Sequence, residues 1–282
     1  MIVTLKNKNI SASISTFGAE LVTLYKDDKN YIWEVDTQFW NKTSPVLFPI
    51  VGRLKNDTYV YGNKEYKLSR HGFARDNDFS IVHQKEDEVI FSFTHNEETL
   101  EKYPFQFELQ IGYLVTATGI KVNYKVYNAN TFDLPFSIGA HPAFALSHPI
   151  EEYDLHFNKD DTFKSHLLLN DLFSGKTKTI QSNNGIIPLN YNLFKEDALV
   201  FKNLHSSEVI VMHQGNPMLK ISFEGFPYLG IWTKDNAPFL CIEPWYGHAD
   251  DIETDGNILN KAGIQLLPPN SKFECSFFIK LY

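Results

Sequence analysis

Ile120-Lys121-Val122-Asn123-Tyr124-Lys125-Val126-Tyr127 alternates apolar and polar residues almost without a break. In an extended chain successive side chains point to opposite faces, so Ile120, Val122, Tyr124 and Val126 fall on one face and their neighbours on the other. The stretch is read as a strand with one buried face, the pattern of an antiparallel sheet.

The same period of two recurs on both sides of it. Before it come Ile10-Ser11-Ala12-Ser13-Ile14-Ser15, Gly18-Ala19-Glu20-Leu21-Val22-Thr23-Leu24-Tyr25, Asn30-Tyr31-Ile32-Trp33-Glu34-Val35, and segments over Phe79 to Gln84, Glu88 to Phe93 and Phe105 to Leu114. Thr58-Tyr59-Val60-Tyr61 and Lys64-Glu65-Tyr66-Lys67-Leu68 flank Gly62-Asn63 and read as a hairpin. After it come Glu208 to His213, Leu219 to Phe223, Tyr228 to Thr233, Phe239 to Ile242 and Lys272 to Leu281. Trp40 to Pro49 holds two closely spaced prolines and reads as an irregular loop. Helices are few: Glu97 to Lys102 and Tyr191 to Glu196 are long enough for single turns only. No repeat, low-complexity tract or linker divides the chain. The expectation is one all-β domain over 1–282, a large antiparallel β-sandwich with few short helices.

Composition agrees and excludes several functions. The 282 residues include 23 Phe and 14 Tyr, an aromatic excess that favours strands. A formal net charge of −8 with no basic stripe argues against nucleic-acid binding. No apolar run approaches the roughly 18 residues of a membrane span, and Met1 to Lys6 does not begin a signal peptide. Cys241 and Cys275 are the only cysteines, which fits a cytoplasmic protein and leaves no Cys-rich zinc site. Of 26 basic residues only Arg53, Arg70 and Arg75 are arginine, clustered where a planar fork could grip hydroxyls, carboxylate or phosphate.

Three stretches carry candidate chemistry. In Cys241-Ile242-Glu243-Pro244-Trp245-Tyr246-Gly247 a carboxylate closes an apolar run beside flat rings. Partial desolvation would raise its pKa and make its anion a better base; a rim ion pair with Lys234 or an arginine is the plainer reading. In Phe136-Ser137-Ile138-Gly139-Ala140-His141-Pro142 a histidine interrupts an apolar run. Such a residue is often a satisfied core histidine, but Pro142 ends strand pairing and Gly139-Ala140 leave room for a pocket imidazole. Arg70-His71-Gly72-Phe73-Ala74-Arg75 is a loop in which Gly72 permits close backbone approach. His71 there is either a binding group or bonded to a backbone carbonyl. His248-Ala249-Asp250-Asp251 reads as a polar turn without a metal-ligand set. There is no phosphate-binding Gly-rich loop and no nucleophile elbow.

Together with Pro45-Val46-Leu47-Phe48-Pro49-Ile50-Val51-Gly52-Arg53, these stretches resemble in order and spacing the aldose 1-epimerase (galactose mutarotase-like) superfamily, with the LacX-type branch most similar. The resemblance implies a galactose mutarotase-like β-sandwich over the whole chain and interconversion of the α and β anomers of an aldohexose. It implies Glu243 as the base that removes the anomeric hydroxyl proton and His141 as the acid that protonates the ring oxygen. Arg53 and His71 match sugar-binding positions. Trp232, Phe48 and Trp245 are candidates for the apolar face of the sugar from their neighbourhood alone. The His-Gly-Phe-Ala-Arg pattern is also similar to that of hexose-6-phosphate 1-epimerases, with Arg53 and Arg75 as a phosphate clamp. The expected partner is therefore a sugar or sugar phosphate, with no metal or other cofactor. A non-catalytic sugar-binding or sensing β-sandwich is the alternative of another class. A glycosidase would need a second carboxylate near Glu243, for which Asp250 and Asp251 are the candidates.

Overall fold

The computed structural model describes residues 1–282. Ile120, Val122, Tyr124 and Val126 lie in the strand Gly119–Asn128 and are buried, with Lys121, Asn123 and Lys125 on the other face. The strand occupies the middle of a nine-stranded antiparallel sheet, between Phe107–Thr116 and Lys272–Leu281. That sheet runs outward on one side to Glu88–Thr94 and Ser80–Gln84. On the other side it reaches Asn216–Ser222, Glu208–His213, Tyr153–Phe157 and Ile186–Pro188.

A second sheet orders Leu199–Lys202, Tyr228–Trp232, Phe239–Tyr246, Ile138–Ala140 and Val46–Leu47, with Ala143–Ala145 also paired to Phe239–Tyr246. Smaller sheets flank the two, among them a four-stranded one built from the first 30 residues. Apolar side chains from one face of each large sheet meet in a single core of 66 residues, which is the sandwich expected from the alternation. The hairpin Thr58–Tyr61 with Lys64–Lys67 forms as expected.

The only α-helix is Glu97–Lys102. Asn96 Oδ1 accepts from the Thr99 amide at 2.9 Å while Thr99 Oγ1 accepts from the Asn96 amide at 2.8 Å, a reciprocal cap. Pro104 disfavours helical geometry at Tyr103, so the helix stops there. Tyr191–Phe194 forms a 3-10 turn.

The strand carrying Glu243 decides where the site lies, and it is longer than expected. It continues through Pro244 to Tyr246 instead of ending at Ile242. The Ile242 amide donates to Pro142 O at 3.3 Å, so residues 242 and 244 direct their nitrogens toward the same neighbouring edge. At that edge Ala143–Ala145 pairs with 239–241 and Ile138–Ala140 with 245–246, which leaves a gap opposite Pro244. A missing N–H in that gap costs no ladder hydrogen bond. Along the strand Leu240 and Ile242 enter the shared core, whereas Phe239, Cys241 and Trp245 pack on the outer face. Period two therefore sends Glu243 outward.

Candidate active site

Glu243 emerges on the outer face of the second sheet and is nonetheless only 2% exposed. The cover comes from a segment that the alternation did not reveal, the hairpin of Phe163–Leu169 with Leu172–Ile180. Its turn residues Asn170 and Asp171 have φ of 52° and 66°, the left-handed values that a tight hairpin needs and that Asn and Asp tolerate. Leu168, Asp171 and Phe173 of this hairpin, with Trp40 and Asp197, close a cavity of about 320 Å³ over Glu243. That volume suits a small polar ligand such as a sugar ring.

The floor is set by close packing. Trp245 lies flat across its neighbours: a Cβ added at Gly230 would come within 2.4 Å of its ring, and one at Gly139 within 2.5 Å. Only glycine on both adjoining strands admits the indole there. The Trp245 Nε1–H donates to Ala140 O at 3.2 Å and fixes the ring.

His141 follows the same alternation out of Ile138–Ala140, after the core residues Ile138 and Ala140. Its Nε2 stands 3.2 Å from Glu243 Oε2. Trp40 stacks on the imidazole, with centroids 4.9 Å apart and planes at 28°, and Trp232 meets it edge-on at 5.9 Å. His141 Nδ1 is buried without a hydrogen-bond partner. Burial pushes the Glu243 carboxyl well above the usual carboxylate range, with the Arg70 guanidinium pulling the other way. Burial also pushes His141 far down, assisted by Arg70 and Arg75. Both shifts favour a single proton shared by uncharged side chains over a carboxylate–imidazolium pair.

His71 has a φ of 68° and is buried beside His141, ring centroids 5.8 Å apart. A Cβ at the following Gly72 would lie 2.3 Å from Phe48 O, which is the close approach expected of that glycine. The Gly52 amide donates to His71 Nδ1 at 3.1 Å. The Arg70 Nε–H faces the other ring nitrogen, Nε2, at 3.2 Å, so donors approach both nitrogens and a neutral ring accepts fully from one of them. Burial, with His141, Arg70 and Arg75 close by, pushes the His71 pKa well below the usual histidine range.

The structure thus brings Glu243, His141, His71, Arg75, Trp232 and Trp245 to one cavity. It does not bring Arg53 or Phe48 into the wall. Arg53 turns away, with its Nε on Asp57 at 2.9 Å and its NH1 on Asp171 at 2.8 Å. Arg70 takes the cavity position and reaches the other oxygen of Asp171 at 3.2 Å. Phe48 is fully buried among Phe73, Tyr103, Phe107 and Phe136. The reason is parity: Leu47 and Val51 face the site, so Phe48 faces the core.

The alternation-based reading missed Arg70, Asp171, Asp197 and Trp40. Arg70 belongs to the arginine window and could have been weighed equally with its neighbours. Asp171 and Asp197 carry no local signal. Asp250 does not approach Glu243 as a second carboxylate: its two oxygens are taken by Lys261 Nζ and the Lys55 amide, both at 2.9 Å.

A model of the aldose 1-epimerase family matches residues 1–259. The chain belongs to the aldose 1-epimerase family. It is 33% identical over 278 residues to the plasmid-encoded protein LacX of Lactococcus lactis subsp. lactis, covering 92% of each chain. A galactose mutarotase related enzyme from Lactobacillus acidophilus superimposes with a TM-score of 0.95 at 31% identity, over 100% of this chain and 97% of that one. A galactose mutarotase-like protein from Lactobacillus casei superimposes at 0.94 with 29% identity, over the whole of both chains. The family makes this chain a sugar epimerase, an isomerase of galactose mutarotase-like fold. No helix is long and apolar enough to cross a membrane.

Proposed function

We propose that this single-domain protein interconverts the α and β anomers of an aldohexose, with Glu243 and His141 moving the protons. The observation that carries the reading is the 3.2 Å contact between His141 Nε2 and Glu243 Oε2 on the floor of an aromatic-walled cavity. The competent form places the shared proton on His141. The Glu243 carboxylate takes the proton of the anomeric hydroxyl as the bond from the ring oxygen to the anomeric carbon breaks. His141 gives its proton to that ring oxygen, and the open-chain aldehyde results. Rotation about the bond between the first two carbons presents the other carbonyl face. On closure the hydroxyl that re-forms the ring gives its proton to His141 while Glu243 gives its proton to the carbonyl oxygen, so the pair ends as it began. The cycle needs one acid and one base and no further cofactor.

Trp245, Trp232 and Trp40 offer flat apolar surfaces to the sugar face, and His71, Arg70, Asp171 and Asp197 offer hydrogen-bond partners for its hydroxyls. Two carboxylates offset the charge of Arg70 and Arg75 at the wall, which favours a free aldose. A second reading, a hexose 6-phosphate substrate, rests on a different observation. Arg53, Arg70 and Arg75 join Lys67 and Lys102 around a shallow depression beside the cavity, with Asp57 as its only acid. The two free thiols support a cytoplasmic site of action.

Exchange NMR with glucose, galactose and their 6-phosphates tests both readings. We expect free aldoses to exchange faster than the spontaneous rate, with little gain from the phosphate. A phosphate requirement that Arg75→Ala removes would establish the second reading. Sugar binding with no acceleration of exchange would establish a binding protein.

A further inference from the structure

We propose that His148, Glu152 and His213 form a binding site for a divalent transition-metal ion of the zinc class, separate from the cavity. One ligand atom from each lies within 4.8 Å of the other two. His213 Nε2 stands 2.9 Å from Glu152 Oε2, and His148 Nδ1 stands 3.9 Å from the same oxygen, too far for a hydrogen bond. None of the three lines the cavity over Glu243.

The fold brings them together from distant stretches. Segment 146–152 runs from Ala143–Ala145 on the second sheet to Tyr153–Phe157 on the first. His148 precedes its 3-10 turn Ile150–Glu152, Glu152 ends that turn, and His213 ends the strand Glu208–His213 opposite Tyr153. The Gln214 side-chain N–H donates to Glu152 Oε2 at 2.8 Å and holds the carboxylate against His213.

The two imidazoles stack with centroids 4.3 Å apart and planes at 18°. No hydrogen bond joins His148 to Glu152, so the half-exposed ring can turn a nitrogen toward the carboxylate. Two imidazole nitrogens and one carboxylate form a donor set that suits zinc, with bonds of about 2.0–2.2 Å and water in the fourth place. Metal approach requires His213 to carry its hydrogen on Nδ1 and the half-exposed His148 ring to swing inward. A bound ion would tie the crossover between the sheets to the first sheet, seven residues after His141.

The test is the unfolding midpoint of the full chain with and without zinc chloride, with magnesium chloride as the hard-cation control. His141, Cys241 and Glu243 also gather ligand atoms within 4.8 Å, so His141→Asn separates the two clusters. We expect zinc to raise the midpoint by several degrees in the wild type and in His141→Asn. The rise should vanish in His148→Ala and in His213→Gln, which keeps a donor for Glu152, and magnesium should give none. Zinc should also protect His148 and His213 from diethyl pyrocarbonate, a reading independent of folding. No rise in the wild type overturns the proposal. So does a rise that survives His148→Ala but disappears in His141→Asn, or one that magnesium reproduces.

Discussion

Two buried pairs are built on carboxylates seven residues apart, Glu243 and Asp250, and their surroundings differ. Lys261 and Asp250 are 4% exposed each and fully engaged: Lys261 Nζ donates to Asp250 Oδ1 at 2.9 Å and to His248 O at 2.6 Å. His248 completes the cluster, with Nδ1 on Ala249 O at 2.7 Å and Nε2 facing Lys202 Nζ at 3.2 Å. Glu243 and His141 are also buried, yet they hold each other by one contact and leave His141 Nδ1 without a partner. A buried polar group whose hydrogen bonds are all made fixes a shape. One that keeps open valence beside a cavity is available for a ligand. The first pair pins the chain around the site, and the second faces the cavity.

Breaking the first pair should have the largest effect. Lys261→Met leaves the Asp250 carboxylate buried without its cation and should cost about 3–5 kcal/mol of stability in denaturant unfolding. The fraction that remains folded should exchange anomers at the wild-type rate. A matching loss of rate per folded molecule would show that the two pairs are not separable.

Breaking the second pair should reverse that outcome. His141→Asn should slow catalysed exchange about 100-fold, some 2.7 kcal/mol of barrier, with unfolding little changed. Wild-type exchange in this variant would remove His141 from the proton path. His248→Asn should cost about 1–2 kcal/mol of stability, the penalty for buried donors and acceptors left unpaired, and should spare the rate.

The pH dependence of stability sharpens the contrast. The folded Glu243 carboxyl has its pKa raised by burial above the ordinary 4.5. Above 4.5 the unfolded chain releases this proton while the folded chain retains it, so the residue contributes less stability as pH rises toward its folded pKa. Glu243→Gln cannot ionise, and its stability relative to wild type should climb over that window. The climb should not exceed about 1.4 kcal/mol for each pH unit crossed. A gap that stays flat from pH 4.5 to neutral would contradict the raised pKa.

Much of this was legible because strands write their faces into the sequence. The alternation of Ile120 to Val126 and of the flanking runs marks sheets, and the same parity places Glu243 and His141 opposite the core. Where parity is hidden, the reading failed. Val46–Leu47 is a two-residue strand between prolines, too short to show that Phe48 turns inward. Pro244 read as a strand end because the gap opposite it belongs to other strands. Arg53 and Arg70 have the same chemistry, and only the position of Asp171 on a distant hairpin tip decides which enters the cavity. The polar turn read at His248 to Asp251 is a buried cluster because Lys261, from further along the chain, neutralises it.

The most direct test is catalysed anomer exchange in Glu243→Gln, measured by exchange NMR with the unfolding midpoint of the same sample. With Glu243 as the base, exchange should fall by at least about 100-fold toward the spontaneous rate, with a midpoint at neutral pH equal to or above the wild type. Exchange at the wild-type rate in a folded Glu243→Gln protein would contradict that role.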